Sequence, residues 1–391
     1  MYKKNNQKEI LPNMDSTSSA DFIQPLLFTF DDFKGCLFFQ PTYKEREFMD
    51  LWQNILPFVP SSLFEEKKAH TGRPGYALID LLGVSMVKAL FNFRCMCDTL
   101  DFIESNINIK TILGLARVPS NATVSKRMRE LDEALGIETV LAHVNKCFHK
   151  DKITFNLSID STIIEAREAP TKDERKKENK KRGRKRKGSE EEALHKEMQA
   201  KNLEEQTLEE NGDVGTYLQT LNDKCSVTGK KNSKGYMDWR IGYKAHIAAD
   251  DYGIPVAFAV TGANVHDSRV AIPLLRLADE NCTYLYALMD GGYSSKRIED
   301  FACSLGKVPV IDFKANRNGI KWEMDPAKRF RYKARTTVER TNSELKANFL
   351  PDTLYARGAN AIFEIKLAIF LAAFSKIGRV LRRRKKESQA A

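Results

Sequence analysis

The chain has 391 residues, 42% of them apolar, and a formal net charge of +11. That length admits two or three domains with ordinary packed cores. The excess of Lys and Arg suits a phosphate-rich partner whose counterions it would displace, although a basic protein with no such partner has the same balance. Seven scattered cysteines, with Cys95 and Cys97 as the one close pair, argue against a disulfide framework or a structural zinc site. The N-terminus lacks the apolar core of a signal peptide. The longest apolar stretch, Ala361 to Phe374, is short and contains Glu364 and Lys366, so no membrane span is expected. Free thiols in a cytoplasmic protein follow from these features.

Residues 1–45 are mixed in composition and expected to be poorly ordered. From 46 to 150 the pattern is helical. Tyr76 to Phe93 carries Leu78, Leu81, Leu82, Met86, Ala89 and Leu90 at helical spacing, and Leu100 to Ile112 reads as another helical stretch. Pro119 then breaks the chain and Ser120 is placed to cap a following helix. That helix displays Lys126, Arg127 and Arg129. A short helix, a turn and a basic helix form a unit able to enter a DNA groove; a bundle with a solvated basic face is the plainer alternative.

At Lys152 the period changes to two. Ile153, Phe155, Leu157 and Ile159 alternate with polar residues as in a strand, with Asp160 at its end. Residues 165–234 read as a charged insertion. Lys172 to Lys187 holds eleven Lys or Arg against three acids, and Ser189 to Gly215 holds nine acids against two lysines. Such blocks stay solvated as a linker or grip phosphates as an arm. Order is expected again at Trp239. A hairpin turns at Asp250 to Gly253, and a helix capped by Asp267 follows. Tyr284 to Met289 is a near-continuous apolar run, the mark of a strand buried on both faces, and Asp290 ends it. A helix, a short strand at Val308 to Phe313 and further helices complete an α/β pattern, a mixed sheet flanked by helices.

Asp160 and Asp290 thus share a position, each following a buried strand. Two carboxylates brought together would repel and raise each other's pKa, and a divalent cation with a preference for oxygen ligands removes that cost. A third acid is sought on a helix over the same edge. Projected at about 100° per residue, Tyr332, Arg335, Glu339 and Lys346 fall within about 60° of arc, with Val338, Leu345 and Phe349 on a separate apolar face. Two metals held by three acids stabilise the attacking and leaving oxygens of an in-line phosphodiester displacement, while Arg335, Lys346 and Tyr332 hold backbone phosphates. The alternative for this helix is an amphipathic surface element with an i, i+4 Arg335–Glu339 pair. For His246 and His266 a hydrogen-bonded structural role is favoured over a ligand role. Trp239 and Trp322 read as core or rim aromatics, and Arg382 to Lys386 as a basic tail, 382–391, that touches phosphate or stays in solvent.

The spacing Tyr332-x2-Arg335-x3-Glu339-x6-Lys346 resembles the Y-R-E-K signature of bacterial insertion-sequence transposases. Asp160-Ser161-Thr162 and Asp290-Gly291-Gly292-Tyr293 resemble their two aspartate motifs. Gly242 to His246, Val260 to Asp267, Thr71 to Tyr76 and Pro119-Ser120 are similar to further stretches of that family. The resemblance spans about 46–380. It implies a ribonuclease-H-like catalytic domain at 151–381 preceded by an all-helical, DNA-binding domain at 46–150. It implies catalytic and metal-binding roles for Asp160, Asp290 and Glu339 with two Mg²⁺, for which Mn²⁺ substitutes, and DNA contacts by Tyr332, Arg335 and Lys346. The implied activity is cleavage at the ends of a mobile element and transfer of the 3′ hydroxyl into target DNA, by a homodimer in the bacterial cytoplasm, at the nucleoid. With 48 residues between Asp290 and Glu339, the large β insertion of some relatives is absent. A domesticated metal-dependent endonuclease without strand transfer, or a non-catalytic DNA-binding protein, are the rival readings.

Overall fold

The computed structural model describes residues 41–65, 75–150, 152–171, 213–231, 234–312 and 323–390, with a few positions between 188 and 194. The basic run 172–187, Trp322 and Thr71 to Pro74 lie outside the described residues, as does nearly all of the N-terminal segment.

Among the described residues six helices come first: α1 (Tyr43–Ile55), α2 (Leu78–Leu90), α3 (Met96–Ser105), α4 (Ile107–Leu113), α5 (Asn121–Leu135) and α6 (Ile137–His149). Their ends are fixed by local chemistry. The Thr42 hydroxyl and Glu45 carboxylate form a reciprocal capping box at α1. Leu100 to Ile112 does not form one helix. Asn106 ends α3, and its side chain accepts from Ile109 N–H to start α4, because a short carboxamide satisfies backbone donors better outside a helix than within it. Ser120 caps α5, its Oγ accepting from Thr123 N–H at 3.2 Å, and Gly136 at φ +55° separates α5 from α6.

The sheet has six strands: β1 (Ile153–Glu165), β2 (Ser226–Lys231), β3 (Met237–Ala249), β4 (Pro255–Gly262), β5 (Thr283–Met289) and β6 (Val308–Ile311). Its order is β2-β3-β1-β5-β6, with β4 also paired to β3. β1, β3 and β4 are antiparallel neighbours, whereas β5 and β6 run parallel to β1. This is the arrangement the ribonuclease-H-like resemblance implies. The short helices α7 (Val214–Thr220), α8 (Ser268–Asn281), α9 (Lys296–Ser304) and α10 (Pro326–Tyr332) are joined by α11 (Thr336–Asn348) and the long α12 (Ala359–Ala390).

Each face of the sheet has its own core. Tyr243, Ala245, Ile247 and Ala249 of β3 pack with α11, α12 and the six N-terminal helices in one continuous apolar cluster. Leu157, Ile159, Ala287 and Met289 pack under α8, α9 and Tyr217 of α7 on the other. The helical segment therefore leans on the sheet through α12, whose Phe370 and Leu371 are fully buried. A buried Lys88–Glu364 ion pair ties α2 to α12.

Regular structure is present within the charged stretch. α7 and β2 lie within the stretch expected to be a loose insertion, yet Tyr217 and Leu221 enter the core and β2 pairs with β3 from Ser226↔Gly242 to Lys231↔Met237. A few apolar side chains there outweigh the polar average. Conversely Trp239 is 67% exposed. It lies across Gly229, its partner on β2, and belongs to no core.

Candidate active site

β1 and β5 pair in parallel with Ile159 opposite Met289, so Asp160 and Asp290 are the next residues side by side. β5 ends there, while β1 runs on to Glu165 along β3. Asp160 accordingly sits within its strand and not at its end, at the point where the parallel half of the sheet stops. The opening left beyond β5 is the crevice that strand ends create in such sheets.

The residues after Asp290 turn sharply. Asp290 Oδ1 accepts from Gly292 N–H at 2.7 Å, which fixes the carboxylate at the start of a single helical turn, Gly291–Tyr293. Tyr293 is fully buried. Burial, then the nearby charges of Asp267, Asp160 and Asp290, hold its phenol well above the ordinary range.

The segment carrying Tyr332, Arg335, Glu339 and Lys346 is not one continuous helix. α10 ends at Tyr332, a tight turn spans Lys333–Arg335, and α11 starts at Thr336. The interruption resets the projection for Tyr332 and leaves the α11 part intact. Val338, Leu345 and Phe349 are buried as the apolar face. At the start of α11 the Arg335 guanidinium reaches two acids. It forms an ion pair with Asp160 Oδ1 at 3.5 Å and a close one with Glu339 Oε1. The i, i+4 pair is therefore present, and it is part of a bridge between the first and third acids. The Tyr332 ring lies 5.7 Å from the same guanidinium.

Burial first, and the neighbouring charges after it, account for the behaviour of Asp160. Burial pushes its pKa up to about 6; Arg335 opposes this, and Asp290 and Glu339 add to it. The three acids thus feel one another, and their oxygens are the hard donors that suit Mg²⁺ or Mn²⁺. As the side chains stand, no group of three His, Cys, Asp or Glu among the described residues is close enough to ligate one ion. The donor chemistry fits a divalent metal, and the Arg335 guanidinium now occupies an oxygen each of Asp160 and Glu339.

Several residues of this neighbourhood escaped sequence reasoning. Asn342, one turn beyond Glu339, donates from Nδ2 to Asp160 Oδ2 at 3.0 Å. Asp267 does not cap α8 with its side chain. Its Oδ1 accepts instead from Lys244 Nζ at 3.0 Å and Ser161 Oγ at 2.9 Å. Burial alone would raise Asp267, but Lys244, His246 and Ser161 bring its pKa below the usual range. A signal was available in the strand pattern: Lys244 falls between Tyr243 and Ala245 in a stretch buried on both sides, and a buried lysine requires an anion. His246 has no exposure, and its Nε2 lies 3.0 Å from Thr261 Oγ1. Burial, with Lys244 assisting, lowers its pKa to about 3. His266 bonds Ser268. Both histidines have the structural role expected of them.

The candidate DNA contacts divide. Lys346 is exposed on α11; partial desolvation by the surrounding protein, then the nearby cations Arg240 and Lys230, depress its pKa. In α5, Lys126 and Arg129 are exposed, and Arg129 pairs with Glu133. Arg127 is committed within the protein, to Glu130 and to the carbonyl of Tyr76.

A mixed sheet with one acid on a strand, a second just past the end of its parallel neighbour and a third on a helix over the same edge is suited to metal-assisted chemistry on phosphodiesters. Residues 215–374 match the family described as "Transposase DDE domain" and residues 40–130 the one described as "Transposase domain". Both matches are to transposase domains, and together they support a DDE transposase. Asp160 lies outside both matched stretches. A cryo-EM structure of a piggyBac transposase synaptic complex with hairpin DNA aligns with 88% of this chain and 77% of its own, at 9% identity and a TM-score of 0.44. No curated protein gives a significant match. Among the described residues, no helix is long and apolar enough to cross a membrane.

Proposed function

We propose that this transposase cuts DNA at the ends of its own element and transfers the freed 3′ hydroxyl into target DNA, with Asp160, Asp290 and Glu339 as the metal-holding acids. The observation that carries this reading is the side-by-side placement of Asp160 and Asp290, with Glu339 joined to Asp160 through one guanidinium. Divalent ions, two Mg²⁺ in the proposed state, would stabilise the attacking and leaving oxygens of the phosphodiester.

The protein's own groups do the rest. Asn342 fixes the rotamer of Asp160, and the Gly292 N–H fixes that of Asp290. Arg335 leaves the acids for a phosphate oxygen, because a bidentate guanidinium–phosphate contact is a strong, geometrically matched one. Tyr332 and Lys346 hold neighbouring phosphates. Lys126 and Arg129 on the open side of α5 contact DNA within the helical region, 46–150, and a homodimer brings the two element ends together. We place the protein in the bacterial cytoplasm, at the nucleoid.

The test uses the full chain and DNA carrying the element's ends. Asp160→Ala, Asp290→Ala and Glu339→Ala should each abolish Mg²⁺-dependent cleavage with DNA binding retained. A variant that cuts at near wild-type rate removes that residue from the site. Cut DNA without joined product would favour an endonuclease that does not transfer strands.

A further inference from the structure

At the foot of β1, on the side of the sheet that carries Asp160, lies a groove of about 700 Å³. Lys152, Asn156, Asp251, Tyr252, Arg331 and Arg384 are among its lining residues. Its cations rest on aromatic rings. The Arg331 guanidinium lies 3.7 Å from the ring centre of Tyr286, and that of Arg384 lies 5.2 Å from Phe148 and 5.5 Å from Tyr252. Lys152 Nζ lies 5.2 Å from the same Phe148. A guanidinium held against a ring keeps its full charge and has more N–H donors than one contact uses; Arg331 donates from Nη1 to Asn156 Oδ1 at 3.3 Å, which fixes it on the groove wall.

The acid in this groove does not neutralise them. Asp251 accepts from the backbone N–H groups of Phe155 and Asn156 at 2.8 and 3.2 Å and from Asn156 Nδ2 at 2.7 Å. His149 turns away to the buried Asp250, at 3.1 Å. Burial and then the neighbouring Arg384 hold the Lys152 ammonium below its ordinary range, so like charges crowd one another where an anion would relieve them. The basic tail divides here as well. Arg382 faces Asp50 and Arg383 pairs with Glu387, while Arg384 faces the groove.

We infer that this groove is a second phosphate-binding station for the DNA backbone, separate from the carboxylate site and collinear with it along β1. Asn156 precedes Asp160 by four residues on one strand face, about 13 Å at the rise of a β-strand. Successive phosphates of a duplex strand advance about 3.4 Å along its axis, so the groove receives the backbone about four nucleotides from the scissile phosphate. Arg331 and Arg384 donate to phosphate oxygens, and Tyr252 offers its 54%-exposed side chain to the adjoining sugar. The inference deepens the proposed function and rests on it for the position of the scissile phosphate.

Binding of a labelled 30-base-pair duplex to the full chain, in EDTA so that no cleavage intervenes, tests it. The Arg331→Ala/Arg384→Ala double variant should bind at least about tenfold more weakly, with the slope of log K against log salt reduced by about 1.8, the loss of two phosphate contacts. Acetylation of lysines in the unaltered protein supplies a readout independent of the variants. DNA should protect Lys152 several-fold and leave Lys385, on the exposed side of α12, reactive. Unchanged affinity and slope, or equal labelling of Lys152 with and without DNA, would overturn the inference. So would protection of Lys152 by millimolar inorganic phosphate to the same degree as by DNA, which would mark a small-anion site. Cleavage by Asp160→Ala would overturn the active-site reading and leave these binding results standing, so the two failures are distinguishable.

Discussion

Replacing Asp267 by Ala probes the support beneath the site. Asp267 is the anionic partner of Lys244, whose side chain is 10% exposed, and it also accepts from Ser161, the neighbour of Asp160. Removal leaves the ammonium with the Val265 carbonyl at 2.7 Å. Breaking a buried ion pair from one side costs about 3–5 kcal/mol. With 26% of the Asp267 side chain in solvent and one carbonyl retained, about 2–3 kcal/mol is expected at pH 7. Because the folded pKa of Asp267 is depressed, its stabilisation is complete above the unfolded value near pH 4 and is lost as pH falls through the folded one. Urea unfolding of the full chain followed by circular dichroism should show the gap between wild type and Asp267→Ala at neutral pH and its closure below about pH 4. Adding Lys244→Met to Asp267→Ala should recover most of the loss. A cost below about 1 kcal/mol at pH 7, or a gap undiminished in acid, would refute the account of a buried, charge-coupled anchor.

The Lys88→Ala variant leaves Glu364 buried beside α2 and should lose about 3–5 kcal/mol, while Lys88→Met/Glu364→Leu should unfold at a urea concentration near that of the wild type; a single variant within about 1 kcal/mol of wild type contradicts a structural role for the pair. A Cβ on Gly242 would lie 2.0 Å from the carbonyl oxygen of Ile164, so Gly242→Ala should be insoluble or lose more than about 3 kcal/mol through parting of β1 and β3, and a soluble variant with wild-type melting temperature disproves the close approach. In the absence of DNA, Arg335→Gln removes the cation that competes with metal for Asp160 and Glu339, so Mn²⁺ measured by titration calorimetry should bind several-fold more tightly even as cleavage falls; weaker Mn²⁺ binding would show that Arg335 supports the acids instead of competing for them.

The sheet was legible because its strands announce themselves by period. Tyr284 to Met289 does form a strand, although it is fully covered only from Ala287 to Met289 and Leu285 is exposed, and the alternation from Ile153 to Ile159 falls on β1. The α11 face was legible for the same reason, since Val338, Leu345 and Phe349 repeat with the helix and are buried. Legibility failed where one residue overrode a pattern. Asn106 divided a helical stretch by capping, a tight turn at Lys333–Arg335 broke a projection that assumed one helix, and Tyr217 carried a charged segment back into the core. The fates of charged residues were least legible, because sequence shows a charge but not its partner. Arg127 and Arg129 are two residues apart, yet one is spent on the Tyr76 carbonyl and the other faces solvent.

The position of Arg335 follows from the same electrostatics that the chemistry requires. Asp160 is buried, and it lies near enough to Asp290 and Glu339 to be raised by both. Such a cluster needs positive charge in order to stay ionised. Within the chain that charge comes from Arg335, which starts the helix bearing Glu339 and so can reach both that acid and β1. A divalent ion carries twice the charge in a smaller volume and binds carboxylate oxygens directly, so in the proposed state it would take the place of the guanidinium when phosphate offers the arginine another anion. One residue can then neutralise the acids before DNA arrives and hold DNA afterward. In the proposed function the i, i+4 spacing that makes a modest surface pair in an ordinary helix would let a single side chain serve two anions in succession.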